Sequence, residues 1–402
     1  MKMKIYTFLS CLFLLVACND RNEPVDSEAQ RTVLAYWVAD NGQLDLSAYA
    51  ISDFNEMVEG MAEVDVTKNN LLIYCETKSD LPRLIHVKKK KGAIVADTIK
   101  TYSEQNPLNM TVMSSIINEV VENYPAKSYG LVFASHADGW LKALISANPA
   151  TRHIGDYRGT QMNITDLCAV LEGAPHMDFI LFDACYMQAI EVAYELRDYA
   201  DYIIASSTEI PGPGAPYQRV IPKMFANKKD VGVDIGNAYY SYYGDENGQI
   251  KSAEYILGGS NTRWTEGVSI SVLKTSELNA LAVITKEILT RYVDNKEKIN
   301  TSSLFYYGSD ITYTIRYYDF DRLIRQITNE NTDYIKWRAA FNNAQLYFKT
   351  TKTNYAARMG GDFDMSKAEG VYMYVPGVNT AQHEYYQTLE WYFDGGWQAV
   401  GW

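Results

Sequence analysis

The sequence predicts an α/β fold, layered α/β/α around a mostly parallel central sheet with further C-terminal helices and strands. Short apolar runs rich in β-branched and aromatic residues read as strands buried on both faces. Between them lie longer stretches whose apolar residues recur at three- and four-residue steps. The two patterns alternate along the first half of the chain, and that alternation requires parallel pairing through crossover helices.

Residues 32–39 (Thr-Val-Leu-Ala-Tyr-Trp-Val-Ala) form the first unbroken apolar run. Residues 46–61 place Leu46, Tyr49, Ala50, Phe54, Met57, Val58 and Met61 at helical spacing, and 71–75 repeat the buried-strand pattern. Residues 84–87 and 93–102 flank Lys88-Lys89-Lys90-Lys91-Gly92 and read as a hairpin with its lysines at a solvated tip. Residues 110–124 form a helix that Pro125 ends. Strands at 130–135, 178–183 and 202–206 then alternate with helices at 164–171 and 188–199. Beyond the rigid loop 211–216, helices are expected at 231–243, 278–293 and 334–348, with strands at 268–273 and 371–375. Residues 31–402 read as one domain, with a sheet core at about 31–210 and an elaboration at about 211–402.

Composition narrows the function. The 402 residues include 37 Lys+Arg and 49 Asp+Glu, a net charge of −12 that argues against a nucleic-acid partner. The 32 tyrosines suit a Tyr-lined core or binding surface. Tyr239-Tyr240, Tyr242-Tyr243, Tyr306-Tyr307 and Tyr317-Tyr318 are adjacent pairs. Neighbours cannot all face one core, so some are expected at the surface, where they could contact peptide or glycan.

Lys2 and Lys4 precede an apolar run over 5–17, too short to span a bilayer as a helix. It ends in Leu15-Val16-Ala17-Cys18, which resembles the bacterial lipoprotein cleavage box. That resemblance implies removal of 1–17, a lipid on Cys18 and a place in the cell envelope, at the outer membrane. Residues 18–30 hold Pro24, Asp20, Glu23, Asp26 and Glu28 and read as an acidic flexible tether. Processing removes two lysines and no acid, which takes the charge to −14. The membrane is then met through lipid alone, by a monomer.

In an open parallel sheet, ligands bind beyond the carboxyl ends of the strands. The strand at 130–135 ends in His136-Ala137-Asp138-Gly139-Trp140. The strand at 178–183 ends in Asp183-Ala184-Cys185-Tyr186-Met187, and the next in Ser206-Ser207-Thr208-Glu209. A thiol and an imidazole therefore meet at one rim, the pair needed for nucleophilic attack on a carbonyl and protonation of the leaving amine. Cys185 also opens the segment leading into the helix at 188–199, whose N-terminus would favour a thiolate, while Asp183 opposes it. The plain alternative is one more buried cysteine.

Ser135-His136-Ala137-Asp138-Gly139-Trp140 followed by Asp183-Ala184-Cys185-Tyr186-Met187 resembles the clostripain-like cysteine peptidases of the caspase-type clan. Ile203-Ile204-Ala205-Ser206-Ser207 and Gly370-Val371-Tyr372-Met373-Tyr374-Val375-Pro376 resemble the family more weakly. The resemblance implies a caspase-like sandwich, Cys185 as nucleophile and His136 as general acid/base. It also implies a pocket acid at Asp183 and cleavage of peptides or proteins after Arg or Lys. Glu209 is a second candidate acid, by position. The backbone at Ala137 and Cys185 would hold the oxyanion, although the family usually has glycine where Ala137 stands. A loop that needs positive φ there would be distorted by alanine. Members are often matured by a cut between the catalytic residues, where Lys142, Arg152 and Arg158 are possible self-processing sites; an ordinary surface loop is the alternative.

Cys75 and Cys168 read as core residues. His86, His153, His176 and His383 lack partners at metal-ligand spacing, so no metal site is expected. No cofactor is required, although calcium binding is possible. The rival reading is an inactive surface lipoprotein of the same fold that binds peptide or glycan.

Overall fold

Alternate residues of β1 (Ala29–Val38) enter opposite layers. Leu34, Tyr36 and Val38 join one apolar cluster, and Val33, Ala35 and Trp37 join the other. Both sets are buried because helices cover both faces, which is why the sequence shows no polar alternation there. The computed structural model describes residues 28–140, 154–226, 229–293, 299–309, 316–375 and 381–401. Cys18, Lys142, Arg152, His153 and the leader lie outside the described residues.

The central sheet adds β2 (Asn69–Thr77), β3 (Asp80–Lys90), β4 (Ala93–Thr101), β5 (Ala126–Ala134) and β6 (Met177–Asp183). It is completed by β7 (Ala200–Ala205), β8 (Ser269–Lys274) and β9 (Gln345–Thr350). Its order is β9-β8-β7-β6-β5-β1-β2-β3-β4. The stretch from β2 to β7 is parallel. Both flanks are antiparallel.

One face is covered by α1 (Ser47–Gly60), α5 (Tyr217–Met224) and α6 (Val231–Tyr243). The other carries α2 (Met110–Asn123), α3 (Ile164–Leu171), α4 (Ile190–Glu195) and α7 (Leu278–Tyr292). Packed with these are α8 (Phe320–Thr328) and α9 (Thr332–Ala344). This is the expected mixed α/β sandwich with a largely parallel centre.

Several boundaries differ from expectation. The sheet extends past residue 210, because β8 and β9 come from the C-terminal half. The helix expected at 334–348 stops at Ala344 and continues as β9, whose backbone groups pair with β8. The helix expected at 188–199 shortens to α4. Before it starts, Tyr186 and Gln188 donate their N–H groups to Thr208 and Ser206 carbonyls, each at 2.9 Å, so the chain is first held against the segment that follows β7.

The paired tyrosines are mostly internal. Tyr239, Tyr240, Tyr243, Tyr307, Tyr317 and Tyr318 are buried, and Tyr242 and Tyr306 are half-buried. Most of their hydroxyls find internal acceptors, such as Gly214 O for Tyr243 and Asp245 O for Tyr240. Adjacent residues can all be buried because layers lie on more than one side of their elements.

Candidate active site

Parallel pairing carries the ends of β1, β5, β6 and β7 to one rim. A cleft of about 260 Å³ opens there, lined among others by Trp37, Asp53, His136, Asp183, Cys185 and Glu209. The structure thus brings the four side chains expected from the sequence to one place.

Cys185 is half-buried, and its Sγ accepts the Ile210 N–H at 3.4 Å. Its pKa is pushed up to about 12, chiefly by burial and then by the charge of Glu209; the Ile210 N–H pulls the other way. The resting group is therefore a thiol, and its proton must leave as it attacks. Cys185 lies five residues before α4 begins, so that helix N-terminus does not hold the sulfur. The next residue, Tyr186, has φ +58°, a left-handed conformation that costs about 1–2 kcal/mol for a residue with a side chain. Its N–H bond to Thr208 and a 2.6 Å hydrogen bond from the Tyr372 hydroxyl to its carbonyl hold the turn in place.

His136 Nε2 lies 2.7 Å from the Leu44 carbonyl oxygen. A carbonyl only accepts, so Nε2 carries the proton and the neutral ring keeps its lone pair on Nδ1. Leu44 sits on a short 3-10 turn (Gly42–Leu44) between β1 and α1. Ala137 forms an isolated antiparallel bridge with Ile154, and its φ is not in the left-handed region. The alanine is therefore not strained. Gly139, at φ +88°, is the left-handed residue of this loop, and a Cβ there would stand 2.7 Å from the Tyr372 hydroxyl.

Asp183 is 3% exposed and accepts from Ala215 N–H at 3.0 Å, Tyr217 OH at 2.8 Å and Tyr239 OH at 3.1 Å. Burial raises its pKa against these three donors. Gly214, at φ +65°, leaves room for it: a Cβ there would lie 2.6 Å from Asp183 Oδ2. Glu209 Oε1 accepts from Ala357 N–H at 2.8 Å and from Tyr186 OH at 3.4 Å.

Arg158 sits in the tip of a hairpin (Ile154–Tyr157 and Thr160–Met162). Its Nε donates to Asp40 Oδ2 at 2.5 Å, and its guanidinium also pairs with Glu104. Cys75 is buried, with its pKa pushed up to about 12 by burial, and Cys168 donates to Glu195 O at 3.4 Å.

Sequence reasoning missed Asp53 and the Leu44 carbonyl. Asp53 did leave a signal. In α1 it sits three residues after buried Ala50 and four before buried Met57, so an acid interrupts an apolar stripe.

An imidazole and a thiol on adjacent parallel strand ends, above an acidic cleft in an α/β/α sheet, define the class of cysteine peptidases. Comparison with known proteins gives the family. The model of the clostripain family, peptidase family C11, matches residues 35–402, and the chain belongs to that family. Clostripain from Hathewaya histolytica is 26% identical over 232 residues, which are 48% of this chain and 42% of clostripain's own length. A secreted C11 cysteine protease from Bacteroides thetaiotaomicron, solved with an irreversible peptide inhibitor, is 41% identical with a TM-score of 0.79. That match covers 92% of this chain and 100% of the relative. An inactive zymogen C11 protease from Parabacteroides distasonis is 33% identical with a TM-score of 0.74, covering 91% of this chain and 98% of its own.

Proposed function

We propose that this chain is a cysteine endopeptidase that cleaves peptides or proteins after Arg or Lys, through a Cys185/His136 dyad. The observation that carries the reading is the shared cleft, lined by both side chains and by carboxylates at neighbouring strand ends. His136 Nδ1 takes the thiol proton as Sγ attacks the scissile carbonyl. The Leu44 carbonyl holds the imidazolium that forms, and the backbone N–H groups of Ala137 and Cys185 receive the oxyanion. The C–N bond then breaks, and the amine leaves with the proton from His136. Water, deprotonated by the same imidazole, attacks the acyl-enzyme and releases the acid and the thiol. Every group comes from one chain, so a monomer suffices, and no step draws on a cofactor.

Purified protein should hydrolyse a peptide amide with Arg or Lys before the scissile bond. Cys185→Ala should lower kcat/KM by about 10⁴-fold or more; activity surviving in that variant would sink the assignment. The same pair reads maturation. Wild type should cut itself at Lys142 or Arg152 rather than at Arg158, whose guanidinium is tied to Asp40 and Glu104. Cys185→Ala should stay one chain. The binding-only alternative finds little support, since the paired tyrosines it would use are buried or half-buried.

A further inference from the structure

Behind the cleft lies a buried acid that no step above uses. Glu191 stands in the first turn of α4, the helix that follows the Cys185 turn, and is fully buried. Its Oε1 accepts the Tyr374 N–H at 2.8 Å, while Oε2 meets no donor among the described residues. Burial pushes its pKa up to about 8. An oxygen of a buried carboxylate left without a donor is uncommon, because its lost hydration goes uncompensated.

The group that faces it is its complement. Trp140 ends the segment that begins at His136, is buried, and has an indole N–H with no acceptor among the described residues. Its ring meets Tyr374 edge-on at 5.8 Å between centroids, and Tyr374 is the residue whose N–H Glu191 holds. The indole N–H is near enough to ease the ionisation of Glu191 without completing a hydrogen bond. An indole N–H only donates and a carboxylate only accepts. Contacts of this loose kind in a free enzyme tighten in the working complex.

The short strand Tyr372–Tyr374 already reaches both halves of the site. Tyr372 gives its N–H to Gln188 O at 3.2 Å and its hydroxyl to Tyr186 O at 2.6 Å, beside the nucleophile. Tyr317, whose ring lies 4.4 Å from that of Tyr372, donates its hydroxyl to Asp138 O in the histidine segment. We propose that the Trp140 indole N–H and Glu191 Oε2 form a clasp in the working enzyme, and that Glu191 is thereby a positioning residue that sets His136 against Cys185. This rests on the peptidase reading above and adds to it a link that touches neither substrate nor the reacting atoms.

Tyr386 is the rival donor and supplies the control. Its hydroxyl has no partner among the described residues, and its ring lies 5.6 Å from that of Trp140. Glu191→Gln turns an NH2 group toward the indole N–H, and Trp140→Phe removes that N–H while keeping an aromatic ring. Each should lower kcat on an arginine peptide amide by about 10- to 100-fold, with KM within about twofold. The double variant should lose no more than the worse single one, since the same contact is broken in all three. Alkylation of Cys185 by iodoacetamide, located by peptide mass, should slow in step, because it too needs His136 to take the thiol proton. Tyr386→Phe should leave kcat and alkylation at the wild-type level. Losses that multiply in the double variant, variants that melt earlier but keep both rates, or a loss confined to Tyr386→Phe would each overturn the clasp. Should Glu191→Gln not fold, Trp140→Phe and Tyr386→Phe carry the measurement. Wild type that cuts no peptide overturns the peptidase reading, and the alkylation rates then still decide the clasp.

Discussion

The acids at the cleft resist ionisation for related reasons, and this gives the activity its pH dependence. The Cys185 thiol is pushed up to about 12 by burial and by Glu209. The carboxyls of Asp183 and Asp53 are both raised by burial, that of Asp53 also by the charges of Asp183 and Glu56. Both charged forms gain as pH rises, so turnover of a basic substrate should climb with pH. The ratio of turnover for a peptide with arginine before the scissile bond to turnover for the same peptide with uncharged citrulline there cancels the thiol and reports the cleft carboxylates. That ratio should fall as pH is lowered, beginning above the usual aspartate value of about 4. Profiles of both peptides between about pH 5 and 9 check this, and a flat ratio would contradict it. The free protein shows the opposite sign in stability. A carboxyl with a raised folded-state pKa stabilises fully below its unfolded value, and that contribution is lost as pH rises through the folded value. Legibility at this scale divides by atom type. Cys185, His136 and Asp53 all stand in readable patterns, whereas the Leu44 carbonyl does not, because every residue has one.

Among the elements, strand ends were easier to read than helix starts. The apolar runs of β1, β5 and β6 stop where polar residues begin, and those polar residues line the rim. The segment after Cys185 was misread because its apolar spacing suits a helix before the hydrogen bonds to Ser206 and Thr208 are known. Long-range pairing of that kind leaves no local signature. The same cause hid β9, which follows α9 without a break and takes its strand form from β8. The turn after the nucleophile depends on one distant side chain. Tyr372, on a three-residue strand (Tyr372–Tyr374), gives its hydroxyl proton to the buried Tyr186 carbonyl. Tyr372→Phe keeps the ring and removes the donor, so stability should fall by about 1–3 kcal/mol, measured by urea unfolding. Turnover should fall as well, since Cys185 adjoins the loosened turn. Unchanged stability and turnover together would show that the turn holds itself.

Across the whole molecule, the sheet's polarity separates the two ends of the proposed function. β1 begins at Ala29, which pairs with Ala126 at the start of β5, while the cleft lies beyond the far ends of both strands. The chain before β1 therefore leaves from the edge opposite the cleft, about one ten-residue strand or ~30 Å away. Among the described residues no helix is long and apolar enough to cross a membrane. We propose that attachment is through lipid on Cys18, and the tether then joins the body at the end remote from the cleft, which leaves the cleft open. The net charge of −14 that processing leaves adds to this, because anionic headgroups would repel the protein rather than draw the cleft down. Cys18→Ser should move the protein from the membrane fraction to the soluble fraction while kcat/KM on short peptides stays within about twofold. Protein that stays in the membrane fraction would refute the lipid attachment. Released protein with much higher turnover would refute the open cleft, since it would mean that the membrane had been covering it.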